Sequence, residues 1–226
     1  MKLRIKFKKY GCLKFIGHLD VMRYFQKLMR RSGINILYSE GYSPHQIMSF
    51  ASPLGVGLQS NAEYVDIEVG SVTTSEKMKQ AFNQHTVEGI EILSVRMLPD
   101  HVQNAMASVA LADYTIRFRP GEEPDFSLPE AINAFYNRDE ILVTKETKKS
   151  TRVVDLKASV PVMKWDDDHI FLQVLAGSGE NIKPELVILS LFEFCGKDCP
   201  EYSYEVTREE LYTAEGMSLE AVGELF

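Results

Sequence analysis

Two hydrophobic rhythms follow one another along the chain. Residues 2–7, KLRIKF, put Leu3, Ile5 and Phe7 on one face and Lys2, Arg4 and Lys6 on the other, the period of a strand. After a turn at Gly11 the spacing becomes helical. Over residues 18–31, Val21, Met22, Phe25, Leu28 and Met29 form one apolar stripe, and Gly33 supplies a stop. INILY (34–38) reads as a second strand, followed by a long turn-rich segment, SEGYSPHQIMSFASPLGVGLQ, with a strand-like core around IMSFA. AEYVDIEVG (62–70) alternates as a strand. TSEKMKQAFNQH (74–85) reads as a helix opened by a Thr or Ser cap, and GIEILSVRML (89–98) as a strand. The order β-α-β-β-α-β is that of a split βαβ, or ferredoxin-like, unit.

The second half repeats the order more loosely. ALADYTIRF is a strand, 127–138 a helix with Pro129 in its first turn, and 140–146 a strand. Residues 151–165 begin as a strand with room for a small insertion, 169–177 is a strand, 183–196 an apolar helix, and 202–213 ends in a strand carrying Tyr202 and Tyr204. The predicted fold class is α+β, two tandem ferredoxin-like (βαββαβ) units with antiparallel sheets. The expected domains are 1–98 and 112–213, joined by a linker or small bridging helix at 99–111. Residues 214–226 read as a tail, a short helix or a frayed end.

Composition narrows the class. The chain has 226 residues, 45% of them hydrophobic and 25% charged, which is usual for a globular protein. No apolar run is long enough to span a bilayer, and the charged, alternating N-terminus lacks the apolar region of a signal peptide, so a cytoplasmic location without membrane association is expected. The three cysteines, Cys12, Cys195 and Cys199, fit a reducing compartment better than a disulfide framework. The CGKDC spacing stands without a second pair, so no metal site is expected; the acidic turn at 166–168 reads as solvated.

Charge changes the picture more. The chain carries −7 overall, yet residues 1–50 hold ten Lys and Arg against two acids, and the remainder hold 15 against 30. A basic island on an acidic protein suits a polyanion or an acidic partner surface. Arg23, Lys27, Arg30 and Arg31 lie on the polar side of the first predicted helix, which makes that side the expected docking face.

Candidate chemistry concentrates in the same region. His18 and Asp20 stand in GHLD at a turn-to-helix junction, and His45 follows Pro44 in YSEGYSPHQ. The three residues could form an acid–base set; the histidines could equally contact a ligand or serve the structure. Gly41, Ser43 and Pro44 fix a tight backbone path. Tyr38, Tyr42 and Phe50 alternate with these turn residues and are candidates for stacking on a base, or for packing beneath the loop. Gly55 and Gly57 lack the companions of a phosphate-binding loop. Glu63 with Val65 and Asp66 with Glu68 occupy opposite strand faces, and the acids are expected to be solvent-exposed or paired with the basic helix. The ligand- or RNA-binding set is therefore Arg23, Lys27, Arg30, Arg31, Tyr38, Ser39, Gly41, Tyr42, Pro44 and His45.

At GHLDVMRYFQKLMRRSG, YSEGYSPHQIMSFASPLGVG and AEYVDIE the chain resembles the radical SAM-linked proteins, a bacterial domain of unknown function. The matching positions are His18, Asp20, Arg23, Tyr38, Ser39, Gly41, Pro44, His45, Ala51, Pro53, Leu54, Glu63 and Asp66. Gly17 departs from the pattern where a capping serine is usual, and Ile47 where a basic residue is common. The likeness is looser in the second half, at TRVVDLKASV, IKPELV and VTREELYT. Members stand alone or are fused C-terminal to radical SAM proteins. The resemblance therefore implies a radical SAM partner that carries the iron–sulfur cluster and S-adenosylmethionine, with no cofactor in this chain. The expected function is a non-catalytic accessory subunit that presents RNA or another anionic ligand. The alternatives are an RNA-processing or RNA-modifying enzyme using His18 and His45, and a protein-binding adaptor. A more distant fold-level likeness to RAMP-type CRISPR RNA endonucleases lacks their C-terminal glycine-rich loop.

Overall fold

The computed structural model describes residues 1–146 and 151–226. The fold is mixed α+β with mostly antiparallel pairing, and the chain divides into two compact units. Met1–Ala110 with Glu210–Phe226 form the first, and Leu111–Glu209 the second.

In the first unit the elements run β1 (Lys2–Lys9), α1 (His18–Arg31), β2 (Met48–Phe50), β3 (Gln59–Glu68), α2 (Ser75–Asn83), β4 (Ile90–Met97) and α3 (Ala105–Ser108). β1 lies between β4 and β3, antiparallel to both, and β2 pairs antiparallel with the outer side of β3. Alternation does what the sequence requires: Leu3, Ile5 and Phe7 meet Val65 and Ile67 beneath the α1 stripe of Val21, Phe25, Leu28 and Met29. Phe25 anchors this core, with ring centroids 4.5 Å from Phe7 and 5.4 Å from Phe50. Gly33, at φ +67°, follows the last turn of α1 in the left-handed conformation that glycine adopts without strain. Thr74 caps α2 by accepting the Lys77 N–H at 3.2 Å, as its position before the apolar stripe suggested.

The second strand is displaced from its expected position. INILY makes only single bridges, Ile36 to Val69 and Tyr38 to Gln46, while the strand proper is Met48–Phe50 in the expected IMSFA core. Residues 99–111 are not a free linker. Ala105 is fully buried and its N–H donates to Asp66 Oδ2 at 2.7 Å, which holds α3 against the first unit. Residues 214–226 are not frayed either. A 3₁₀ turn at Leu219–Val222 buries Leu219, and Phe226 exchanges hydrogen bonds with Ser75 at 2.8 and 3.0 Å. The division falls at Ala110 and Glu210 rather than at the expected bounds, and both segments contribute buried residues to the first unit, Ala105 and Val109 from one and Leu219 from the other.

In the second unit β5 (Leu111–Phe118), α4 (Leu128–Tyr136), β6 (Leu142–Glu146), β7 (Thr151–Asp155), α5 (Leu156–Ser159), β8 (Val162–Asp166), β9 (His169–Leu175), α6 (Pro184–Phe194) and β10 (Tyr204–Tyr212) follow in order. β5 has β10 and β9 as neighbours, with β8 beyond β9. β6 and β7 instead form a separate two-stranded sheet outside the main pairing. Asp155 ends β7 by capping α5, accepting N–H groups of Ile141 and Lys157 at 2.9 Å each. The acidic turn is charge-paired: Asp168 bonds His169 at 2.9 Å and Arg117 at 3.2 Å, which holds its carboxyl down at about 2.

Candidate anion-binding surface and adjoining cavity

The basic island divides into an inside and an outside. On β1, Arg4 is almost wholly buried and makes a two-pronged pair with Asp66, Nε to Oδ1 at 2.8 Å and Nη2 to Oδ2 at 3.0 Å. Its Nη1 donates to the Leu219 carbonyl at 3.1 Å, and Nη2 also reaches the Gln103 carbonyl at 3.5 Å. Lys6 bonds Glu210 at 2.8 Å and Glu220 at 3.1 Å. Burial alone would lower the Lys6 pKa, but the hydrogen bonds and charges of those two carboxylates outweigh it and raise it. Glu210 also accepts from Tyr64 Oη at 2.6 Å, and burial pushes that phenol well above its ordinary range. The middle of the polar face of β1, at Arg4 and Lys6, is therefore an inward-facing ion-pair layer, while Lys2 at its start stays exposed.

Glu63 and Asp66 correct the expectation of solvent exposure or pairing with the basic helix. Glu63 is 6% exposed and Asp66 8%. Asp66 serves Arg4 and Ala105 rather than the helix.

The outside is α1. Arg23, Lys27, Arg30 and Arg31 are all exposed, opposite the buried stripe. Arg23 meets Asp20 three residues back at 3.2 Å, and both side chains are solvated, so the pair holds little energy. Among the described residues no carboxylate pairs with Lys27, Arg30 or Arg31.

The SEGYSPH turn stands beside this face. Its two arms close by the Tyr38–Gln46 bridge and by Ser39 N–H donating to the His45 carbonyl at 2.8 Å, and Gly41 turns the chain at φ +109°. Gln46 fastens the hairpin to the helix: its Nε2 donates to the Gln26 carbonyl at 3.2 Å. Gln26 lies one helical turn from both Arg23 and Arg30. Tyr42 at the tip is fully exposed and Tyr38 half exposed. Pro44 is exposed as well.

The other side of the hairpin faces a cavity of about 440 Å³. Ser39, His45, Ile47, Met48 and Ser49 form one wall; Leu98, Val102 and Asn104, with Lys2, Asp66 and Glu68, complete it. Ser39 Oγ accepts the His45 N–H at 3.1 Å and lies 2.9 Å from His45 Nδ1.

His18 is elsewhere. Gly17 leaves the start of α1 without a side-chain cap, and the His18 ring stands edge-on to Phe50 with centroids 5.4 Å apart. Burial lowers its pKa, Glu63 opposes that shift, and Lys9 adds to it. Lys9 is 2% exposed and reaches the Ile16 carbonyl at 3.3 Å. Phe50 and Ser49 are successive residues of β2 and so point to opposite faces. His18 lies on the Phe50 side and His45 on the Ser49 side. With Asp20 turned to Arg23, the three candidate acid–base groups do not converge. Among the described residues no three His, Cys, Asp or Glu side chains form a metal-holding group.

Lys9, Gln46 and the cavity residues Lys2 and Ser49 escaped sequence reasoning. Gln46 carried the one usable signal, an amide directly after the Pro44–His45 pair. No curated protein matches the chain. A family described as an uncharacterized protein conserved in bacteria, DUF2344, matches residues 2–184, a span that holds α1, the hairpin and every residue of the cavity wall, and the chain belongs to that family.

Proposed function

We propose that this DUF2344 protein binds single-stranded RNA on the outer face of α1, with Tyr38 and Tyr42 stacking on bases beside the row Arg23, Lys27, Arg30 and Arg31. One observation carries the reading: the hairpin is fastened to α1 at Gln26, so exposed aromatic rings stand beside a row of exposed cations of which Lys27, Arg30 and Arg31 pair with no carboxylate among the described residues. Cations hold the backbone and rings hold the bases, the usual division of labour at single-stranded sites. The separation of His18 from His45 speaks against an acid–base enzyme built on that pair.

The test is fluorescence anisotropy with a labelled single-stranded RNA across a salt series. About four phosphate contacts give a slope of log affinity against log salt of about −2 to −3. Arg30→Glu/Arg31→Glu should flatten that slope by about 1. Salt-insensitive binding, or none, overturns the reading.

The likeness to radical SAM-linked proteins supports a role as the accessory subunit of a radical SAM enzyme, whose cluster and S-adenosylmethionine reside in the partner. Co-purification of such a protein after nuclease treatment tests this. The strand order β4-β1-β3-β2 supports a ferredoxin-like reading of the first unit, and β10-β5-β9-β8 the same reading of the second with the β6-β7 sheet as an insertion.

A further inference from the structure

Alternation makes residues 38–48 a two-sided element. Gln46 turns toward α1, and its neighbours His45 and Ile47 turn away into the cavity. The RNA surface proposed above and the cavity are thus back to back across one thin hairpin.

The cavity's chemistry is specific. Ile47, Met48, Leu98 and Val102 give it an apolar lining, and its volume is that of a small-molecule site. Lys2 and Glu68 face it as a loose ion pair at 3.9 Å, with hydrogen-bonding capacity left on both. Ser39 Oγ accepts the His45 N–H and engages Nδ1, so Nε2 is the ring nitrogen left to meet a ligand, as donor or acceptor according to the tautomer. The wall therefore offers apolar surface with donors and an acceptor close together.

We propose that this cavity takes one unstacked nucleobase, its faces against Ile47 and Val102 and its polar edge toward His45, Lys2 and Glu68. A base edge carries donors and acceptors side by side, and a base splayed from a single strand is the unit that RNA-reading proteins hold in this way. The proposal rests on the RNA reading for where the base comes from, but the pocket can be tested without RNA.

The probes are the four free nucleosides, added to the whole chain and followed by the NMR signals of the Val102 methyls and the His45 ring. At least one nucleoside should shift both signals. Ser49→Phe, which fills the cavity from β2, should weaken that binding tenfold or more, while Arg30→Glu/Arg31→Glu leaves it unchanged. If Ser49→Phe loses the wild-type circular dichroism, Ile47→Trp takes its place. Nucleosides that leave both signals in place, or binding that survives a folded cavity-filling variant, overturn the proposal. Nucleoside binding without RNA binding removes the surface reading and keeps the pocket; salt-dependent RNA binding without nucleoside binding does the reverse.

Discussion

β1 and α1 carry similar numbers of cations and put them to opposite uses. Arg4 and Lys6 are turned into the first unit and satisfied by carboxylates 62 to 214 residues away in sequence. Arg23, Lys27, Arg30 and Arg31 are turned out and left to solvent. A buried cation must be matched, because its desolvation costs several kcal/mol, whereas an exposed one costs little to leave free. Of the ten cations in residues 1–50, Arg4, Lys6 and Lys9 are thus turned inward, and the four of α1 form the exposed row that can meet a polyanion.

The sharpest way to break this comparison is at Arg4. Arg4→Leu leaves the Asp66 carboxylate buried with the Ala105 N–H as a remaining donor. The expected loss is about 3–5 kcal/mol in urea unfolding followed by a probe in the first unit. Arg4→Leu/Asp66→Leu removes both charges and should recover part of that loss. A loss under about 1 kcal/mol for the single variant would mean that the inner layer is not held by this pair.

Lys6 comes next. Lys6→Met leaves Glu210 and Glu220 without their shared cation and should cost about 1–3 kcal/mol. The pH dependence has a definite sign. The folded pKa of Lys6 is raised, so its contribution is complete below its ordinary value of 10.5 and is lost as pH climbs through the folded value. Wild type should therefore lose stability in alkali more steeply than Lys6→Met.

On the outer face the same kind of change should hardly touch stability. Arg30→Glu and Arg31→Glu should each stay within about 0.5 kcal/mol of wild type, since neither residue is buried or ion-paired. Their effect belongs in the salt slope of RNA binding. A large stability loss with an unchanged slope would erase the distinction between the two regions.

The elements of both regions were legible in the sequence, but the fate of their charges was not. The α1 stripe, the alternation of β1 and the Thr74 cap are local patterns, and each forms where its spacing places it. Arg4 and Asp66 read as polar strand positions, which alternation assigns to solvent by default. Their burial depends on segments that close over the sheet from far along the chain, at 103–105 and 219. INILY looked like a strand because five residues rich in isoleucine fit that period, yet its neighbours allow single bridges only. Tyr42, Tyr38 and the basic row stood out as types, whereas their common placement came from one side-chain bond, Gln46 to Gln26, which no spacing rule contains.

His18 stands at the joint of the two regions and should give the smallest effect. It opens α1, yet its electrostatic neighbours are Glu63 and Lys9 from the inside. Partial burial against Phe50 disfavours the charged ring, and Lys9 adds repulsion that Glu63 partly offsets. Its folded pKa therefore lies below 6.5, and the stability linked to its neutral form is present above 6.5 and lost as pH falls through the folded value. An NMR titration of the ring should give a midpoint below 6.5. Lys9→Met should move that midpoint up by removing the repulsion, provided circular dichroism keeps its wild-type form. A midpoint at or above 6.5 in wild type would place His18 with the solvated outer face instead, and the boundary between inner and outer charge would move one residue pair deeper, to Lys9 and Glu63.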